Sequence, residues 1–122
     1  MSLVRTPTAD KKHKILIVKY KMADITAEEL KQRMDSGEKL NIIDVREQYE
    51  FDDFNIGAKL IPLGTIQGAI DDLGEWKDEE VIVHCKAGGR SAAARDYMMK
   101  NGFTNVRNLV GGMMDWQAKF SK

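Results

Sequence analysis

The stretch VIVHCKAGGRSAAAR, residues 81–95, combines an apolar run, a glycine-containing loop and an alanine-rich segment. The apolar run predicts a buried β-strand over residues 80–84. The alanine-rich segment predicts a helix that begins near Arg90 or Ser91. Cys85, the only cysteine in the chain, therefore lies where a strand gives way to a helix.

The same alternation continues outward from this segment. Further strands are predicted at LNIIDV (40–45) and NVRNLV (105–110), with a short extended piece at KLIPLG (59–64). Helices are predicted at residues 24–38, 46–54, 65–73, 90–103 and 111–120. This order predicts an α/β fold, an open and mostly parallel sheet with helices on both faces. Sites in such sheets form at the carboxyl ends of strands, which is where Cys85 falls.

Length and charge limit the class of protein. The 122 residues fit one domain, assigned here to residues 23–122, preceded by a polar N-terminal arm or tail over residues 1–22. The 19 basic and 19 acidic residues cancel, so no overall field favours nucleic acid or an anionic membrane as a partner. No apolar run reaches the roughly 20 residues of a membrane span. A single cysteine cannot form an internal disulfide, which favours the reducing cytoplasm.

The loop after Cys85 has the composition of an anion-binding turn. Gly88 and Gly89 allow the chain to curl, so that successive N–H groups turn inward. The following helix adds the positive end of its dipole, and Lys86 and Arg90 add full charges. These surroundings favour a thiolate over a thiol, and the thiolate is the nucleophilic form of cysteine.

Two kinds of nucleophilic chemistry can be weighed from the spacing of residues. Attack on a carbonyl normally uses a histidine base, but His84 precedes Cys85 directly and should point to the opposite face of the strand. We interpret His84 as a structural histidine with satisfied hydrogen bonds. Phosphoryl transfer by cysteine phosphatases uses five residues between the cysteine and the arginine, whereas four intervene here. The shorter ring suits a single sulfur atom better than a phosphate.

Four stretches, in order, resemble the rhodanese family of sulfurtransferases. They are NIIDVREQYEF, KLIPLG, VIVHCKAGGRSAAAR and GFTNVRNLVGGMMDW, and together they cover roughly residues 24–120. One departure concerns Asn55, which occupies the position where the family often has the histidine of a Gly-His-Ile sequence. This change bears on contacts with partners or substrate more than on the chemistry.

The resemblance implies a rhodanese-like fold and a two-step reaction through a Cys85 persulfide. The donor would be thiosulfate or another persulfide, and the acceptor would be cyanide, a thiol or a sulfur-carrier protein. The amides of the active-site loop would hold the outer sulfur, and its cations would attract an anionic donor; the loop consists of Lys86, Ala87, Gly88, Gly89, Arg90 and Ser91. Asp44 and Arg46 would brace this loop by charge-assisted hydrogen bonds. We expect Trp116 and the Gly111-Gly112 pair to have packing roles.

Two other functions remain open at this point. The domain could be a sulfur-carrier or docking module of a cofactor-sulfuration pathway, with the lysine-rich segment 11–21 as its docking arm. It could also be a cysteine phosphatase or arsenate reductase on the same fold, although the short loop argues against this. One cysteine and two dispersed histidines predict no metal site, and the sequence predicts no organic cofactor.

Overall fold

The computed structural model describes residues 24–120 of the chain. The predicted arm of residues 1–22 and its lysine-rich segment lie outside the described residues. The elements in order are β1 (Asp24–Ile25), α1 (Ala27–Asp35), β2 (Ile42–Asp44), α2 (Gln48–Asp53), β3 (Lys59–Leu60), a 3₁₀ turn (Leu63–Thr65), α3 (Ile66–Ala69), a second 3₁₀ segment (Ile70–Trp76), β4 (Glu80–His84), α4 (Gly89–Lys100), β5 (Asn105–Leu109) and α5 (Gly112–Phe120). None of the helices within residues 24–120 is long and apolar enough to cross a membrane.

The five strands form one parallel sheet in the order β1-β5-β4-β2-β3. The central strand β4 pairs with β2 through Ile43 and Val83, and with β5 through Val83 and Asn108. This topology confirms the predicted α/β class. Because β4 has a strand on each side, the residue that follows it lies at the middle of the carboxyl edge.

Alternation along β4 divides the core between the two faces of the sheet. Val81 and Val83 pack with α3, α4 and the second 3₁₀ segment, whereas Ile82 packs with α1 and α5. Successive side chains of a strand point to opposite faces, so one buried run serves two cores. Helices therefore cover both faces, as the sequence predicts.

The structure differs from the predicted elements in two places. Asp24 and Ile25, predicted as the start of a helix, form the edge strand β1 beside β5. Helix α1 begins after Thr26, whose hydroxyl accepts a hydrogen bond from the Glu29 N–H and so caps the helix. The helix predicted for residues 65–73 is instead a short α-helix between two 3₁₀ segments, and Leu73 has non-helical dihedral angles.

Candidate active site

Cys85 is the first residue after β4, and only 1% of its surface is exposed. Its side chain belongs to the core that contains Val81 and Val83, yet its sulfur is surrounded by donors. The Gly88 N–H donates to Sγ at 3.1 Å and the Ser91 N–H at 3.4 Å, and the Ser91 hydroxyl lies 3.3 Å away. We call residues 85–91 the cysteine loop.

The curl of the cysteine loop depends on Gly88. This residue has φ +116° and is the N-cap of α4, a conformation that residues with a Cβ rarely adopt. Ser91 is the third residue of α4, so its N–H is one of the groups that have no acceptor within the helix. The sulfur takes the place of that missing acceptor, at the positive end of the helix dipole.

Opposing effects act on the pKa of Cys85. Burial raises it, whereas hydrogen bonds from the Ser91 hydroxyl and from the N–H groups of Ser91, Gly88 and Ala87 lower it. The net result is a pKa below the ordinary value of a thiol. Donors therefore outweigh burial, and the thiolate is favoured at a site from which water is nearly excluded.

Asn108, near the end of β5, lies under the cysteine loop. Its Oδ1 is 2.5 Å from the Ser91 hydroxyl, and its Nδ2 donates to the Gly88 carbonyl at 3.2 Å. The amide thus holds two points of the loop at once. Because a hydroxyl carries one proton, Sγ competes for it with Asn108 Oδ1 and with the Gly88 carbonyl, which lies 3.3 Å from the hydroxyl.

The start of α5 fixes the other side of the loop. The N–H groups of Met113 and Met114 donate to the carbonyls of Cys85 and Lys86, both at 2.9 Å. This contact requires Gly112, because a Cβ there would lie 2.5 Å from the Cys85 oxygen and 2.6 Å from the Lys86 oxygen. With these two carbonyls held outward, the N–H groups that follow are free to face the sulfur. Of the glycine pair that the sequence assigns to packing, Gly112 therefore packs against the site itself.

The two cations of the cysteine loop have different surroundings. Arg90 makes a bidentate ion pair with Glu50 of α2, with distances of 2.7 and 2.9 Å. The Arg90 hydrogen bonds and burial have opposite effects on the pKa of Glu50, and the hydrogen bonds lower it to about 2. Lys86 is exposed and makes no ion pair with any residue from 24 to 120. Arg90 therefore points toward α2 rather than forming the arginine fork of a phosphate site.

Asp44 and Arg46, predicted to brace the cysteine loop, bind mainly each other. The Arg46 guanidinium donates to the Asp44 carboxylate at 2.7 to 3.1 Å, and also to the carbonyls of Glu50 and Phe54. None of their hydrogen bonds within residues 24–120 reaches residues 86–91. Any bracing of the loop is thus indirect, through α2 and the Glu50–Arg90 pair.

His84 is buried on the other side of β4 from Cys85. Its Nε2 lies 3.7 Å from Asp44 Oδ2, and neither ring nitrogen has a hydrogen-bond partner in the described part of the chain. Our interpretation of His84 as a satisfied histidine is therefore wrong in that respect. Burial lowers its pKa to about 4, despite the opposite influence of Asp44. Because His84 lies on the opposite face and its low pKa makes it a weak base, it does not act as the base for Cys85.

A groove of about 380 Å³ opens beside the cysteine loop. Its walls come from α2, from Lys86 and from α5, and include Arg46, Tyr49, Glu50, Asp53, Lys86, Met113, Met114 and Gln117. Tyr49 and Met114 are 74% and 57% exposed. Large apolar side chains are thus uncovered next to the loop.

The site contains two residues that the sequence did not single out, Glu50 and Asn108. Each reaches the cysteine loop from another element, and no spacing in the sequence links either of them to Cys85. Asn55, at the position of the departure, makes local contacts with Phe51 and Gly57. No three His, Cys, Asp or Glu side chains between residues 24 and 120 are grouped so that they could hold a metal ion.

Comparison with known proteins identifies relatives over most of the described region. The family model for the rhodanese-like domain matches residues 26–119. The chain is 42% identical over 97 residues to a putative sulfur carrier protein, YrkF, from Bacillus subtilis, and covers 51% of its length. It is 32% identical over 94 residues to a sulfurtransferase from Allochromatium vinosum and covers 86% of that protein. These matches involve 79% and 76% of the present chain, which thus spans about half of one relative and most of the other.

Solved structures agree with this result. A rhodanese-like domain protein from Staphylococcus aureus superposes with a TM-score of 0.67 and is 37% identical. The match covers 76% of the present chain and 89% of the other. The structural comparison therefore matches the chain to the same family, the rhodanese-like domain, as the sequence comparison does.

Proposed function

Because the chain belongs to the rhodanese-like domain family, a family of sulfurtransferases, we propose that it moves sulfane sulfur through a persulfide on Cys85. The donor is thiosulfate or another persulfide. The acceptor is cyanide, a small thiol or a sulfur-carrier protein. The free thiol that this chemistry requires favours a reducing compartment, the cytoplasm.

The observation that carries this proposal is a sulfur held by hydrogen-bond donors without a base. Two backbone N–H groups and one hydroxyl lie within 3.1 to 3.4 Å of Sγ, and the pKa of the thiol is lowered. His84 lies on the other face of β4, and burial lowers its pKa to about 4, which makes it a weak base. Such a site favours the thiolate more than an ordinary cysteine environment does, as attack on sulfur requires, but it provides no well-placed base of the kind that carbonyl chemistry uses.

The first step transfers one sulfur atom to the protein. The Cys85 thiolate attacks the outer sulfur of thiosulfate, a new S–S bond forms and the S–S bond of thiosulfate breaks. The bonding electron pair leaves with sulfite, and a Cys85 persulfide anion remains. Because Cys85 is almost fully buried, only a single projecting atom of the donor can reach Sγ.

The second step returns the cysteine to its starting state. A nucleophile, for example cyanide or an acceptor thiolate, attacks the outer sulfur of the persulfide. The S–S bond breaks, its electron pair returns to Sγ, and thiocyanate or a new persulfide leaves. Inward-facing N–H groups of the cysteine loop stabilise the outer sulfur between the two steps.

Intact mass spectrometry after incubation with thiosulfate or cysteine persulfide tests this function. We expect the protein to gain the mass of one sulfur atom, to lose it on addition of cyanide, and to release thiocyanate. Cys85→Ser should show neither effect, with turnover reduced at least about a thousandfold because the nucleophile is absent. Since Cys85 is the only cysteine, sulfur on the Cys85→Ser protein, or none on the wild type with either donor, contradicts the proposal.

A second candidate is a sulfur-carrier or docking module that does not turn over by itself. The relation to a putative sulfur carrier protein, of which this chain covers only 51%, favours it. Steady-state kinetics with thiosulfate and cyanide separate the two functions. Multiple turnovers indicate a free-standing enzyme, whereas a persulfide that persists with cyanide and is released only to a partner protein indicates the module.

A further inference from the structure

The ion pair between Glu50 and Arg90 has a consequence for the choice of sulfur donor. Arg90 lies in the cysteine loop, next to Ser91, and its guanidinium donates to both carboxylate oxygens of Glu50. Glu50 is held in turn by its place in α2, where its carboxylate accepts a hydrogen bond from the Glu47 N–H as part of a capping box. The pair is therefore a built feature rather than a chance surface contact.

This pair neutralises one of the two positive charges that the sequence places in the cysteine loop. With a pKa of about 2, Glu50 is ionised at any physiological pH and offsets the charge of Arg90. Two other cations from the described part of the chain line the groove: Arg46 is paired with Asp44, and Lys86 faces the opposite charge of Asp53 on the same groove. Within the described residues, the charges that line the groove thus sum to nearly zero. A small dianion such as thiosulfate gains little attraction from such a surface.

The groove beside the cysteine loop has the size and the apolar surface to bind an organic sulfur donor. Its volume of about 380 Å³ exceeds what a tetrahedral sulfur oxyanion needs, and it is bordered by the exposed side chains of Tyr49 and Met114. A donor in which the sulfane sulfur is attached to an organic group can place that group against these apolar surfaces. Only its outer sulfur then has to enter the curl of the cysteine loop.

We infer that Glu50 is a specificity-determining residue that acts through Arg90, and that the donor class of this site is an organic persulfide, R–S–SH, rather than thiosulfate. This inference rests on the proposed function. The Cys85 thiolate attacks the outer sulfur of R–S–SH, and the S–S bond of the donor breaks. The electron pair leaves on RS⁻, and the proton stays on the transferred sulfur. Glu50 disfavours thiosulfate in two ways. Its negative charge repels the dianion, and its ion pair with Arg90 prevents that guanidinium from binding thiosulfate.

The test compares two donors, thiosulfate and cysteine persulfide, in the wild type and in Glu50→Gln. Glutamine keeps a hydrogen-bond acceptor for Arg90 and suits the same capping position, but removes the charge. We expect kcat/KM for thiosulfate to rise about fivefold, mainly through KM, and the gain to shrink at high salt. For cysteine persulfide we expect a change of less than about twofold, and the wild type should prefer this donor. Glu47→Gln is the matched control, because it neutralises a carboxylate at the start of the same helix that does not contact Arg90.

The ratio of the two kcat/KM values does not depend on how much of the variant is folded. If Glu50→Gln lowers both values equally, or leaves thiosulfate unchanged, Glu50 is structural and the inference is wrong. A wild type that uses thiosulfate better than cysteine persulfide overturns the donor class. These results leave the Cys85 persulfide intact, whereas failure of both donors to load Cys85 contradicts the proposed function itself.

Discussion

Two regions at opposite ends of β4 use arginine and glutamate in different ways. At the start of the strand, Glu80 accepts from Arg33 and Arg107, which also bind Glu38 and Glu29 respectively. At its end, Arg90 binds Glu50, but the backbone donors beside it point at the sulfur of Cys85.

The two regions differ in whether they leave hydrogen-bond donors available to a ligand. The cluster around Glu80 matches side chains of opposite charge, and its partly buried groups bind one another across α1, β4 and β5. In the cysteine loop the glycine and the helix start leave N–H groups without a backbone acceptor, so a sulfur atom completes them. Ion pairs therefore hold both regions in shape, whereas unpaired backbone dipoles distinguish the reactive one.

Among the substitutions that test this comparison, Gly112→Ala should have the largest effect, on both stability and Cys85 reactivity. A Cβ at this position meets the Cys85 and Lys86 carbonyls at 2.5 and 2.6 Å, and φ is +56°. We expect the free energy of unfolding to fall by about 3 kcal/mol, from strain and overpacking together. Urea unfolding measures this loss. We also expect slower alkylation of Cys85, because the displaced carbonyls no longer orient the N–H groups of the loop.

Gly64→Ala is the control for this change. Nothing lies within 4 Å of a Cβ at Gly64, and its φ is not positive, so its unfolding free energy should change by less than about 1 kcal/mol. Equal stability of the two variants would mean that the start of α5 does not hold the cysteine loop.

A smaller effect, confined to the sulfur, should follow Ser91→Ala. Loss of the hydroxyl removes one of the hydrogen bonds that lower the pKa of Cys85, so the pKa rises and less thiolate is present at mildly acid pH. The rate of alkylation by iodoacetamide at about pH 6 should fall about fivefold. At pH values above both thiol pKa values, the variant and the wild type should react at similar rates.

Ser36→Ala provides the comparison, because that hydroxyl donates to the Arg33 carbonyl at the end of α1. Its alkylation profile should match the wild type at every pH. An unchanged profile for Ser91→Ala would show that the hydroxyl donates its hydrogen bond to Asn108 rather than to Sγ. Asn108 Oδ1 lies closer to the hydroxyl than Sγ does.

The fold could be predicted from the sequence because its information is local. Apolar runs and an alanine-rich helix mark β4, its neighbours and α4, and each forms within a few residues of the predicted position. Strand β1 was missed because two residues carry no periodicity, and only pairing with β5 makes them a strand. The helix expected at residues 65–73 breaks up because tertiary packing of Ile70 and Leu73 overrides a weak helical pattern.

The site could be predicted only where its residues are neighbours in sequence. Cys85, Gly88 and Ser91 lie within one loop, so their convergence follows from its composition. Glu50 and Arg90 are 40 residues apart, and no spacing rule joins them. The sequence therefore assigned Arg90 to an anionic donor, whereas the fold gives it a carboxylate partner. Direct bracing of the loop by Asp44 and Arg46 is not seen for the same reason, since the carbonyls that Arg46 binds belong to α2 and the residue after it.

The smallest effect should come from Glu80→Gln in the cluster at the other end of β4. Losing this charge weakens the contacts to Arg33 and Arg107, and we expect a decrease of about 1 kcal/mol in unfolding free energy at neutral pH. Hydrogen bonds from Arg33 lower the pKa of Glu80 in the folded protein, although burial opposes them. The contribution is therefore complete above the ordinary glutamate pKa and is lost as the pH falls through the lowered one.

Urea unfolding at several pH values checks this, with Cys85 alkylation measured on the same samples. The stability difference between wild type and Glu80→Gln should narrow in acid, while the alkylation rates stay equal throughout. A difference that widens in acid would mean that Glu80 is protonated more easily when folded, against the direction set by its arginines. A changed alkylation rate would mean that the two ends of β4 are coupled. In that case the ion-pair cluster would belong to the function of the molecule and not only to its stability.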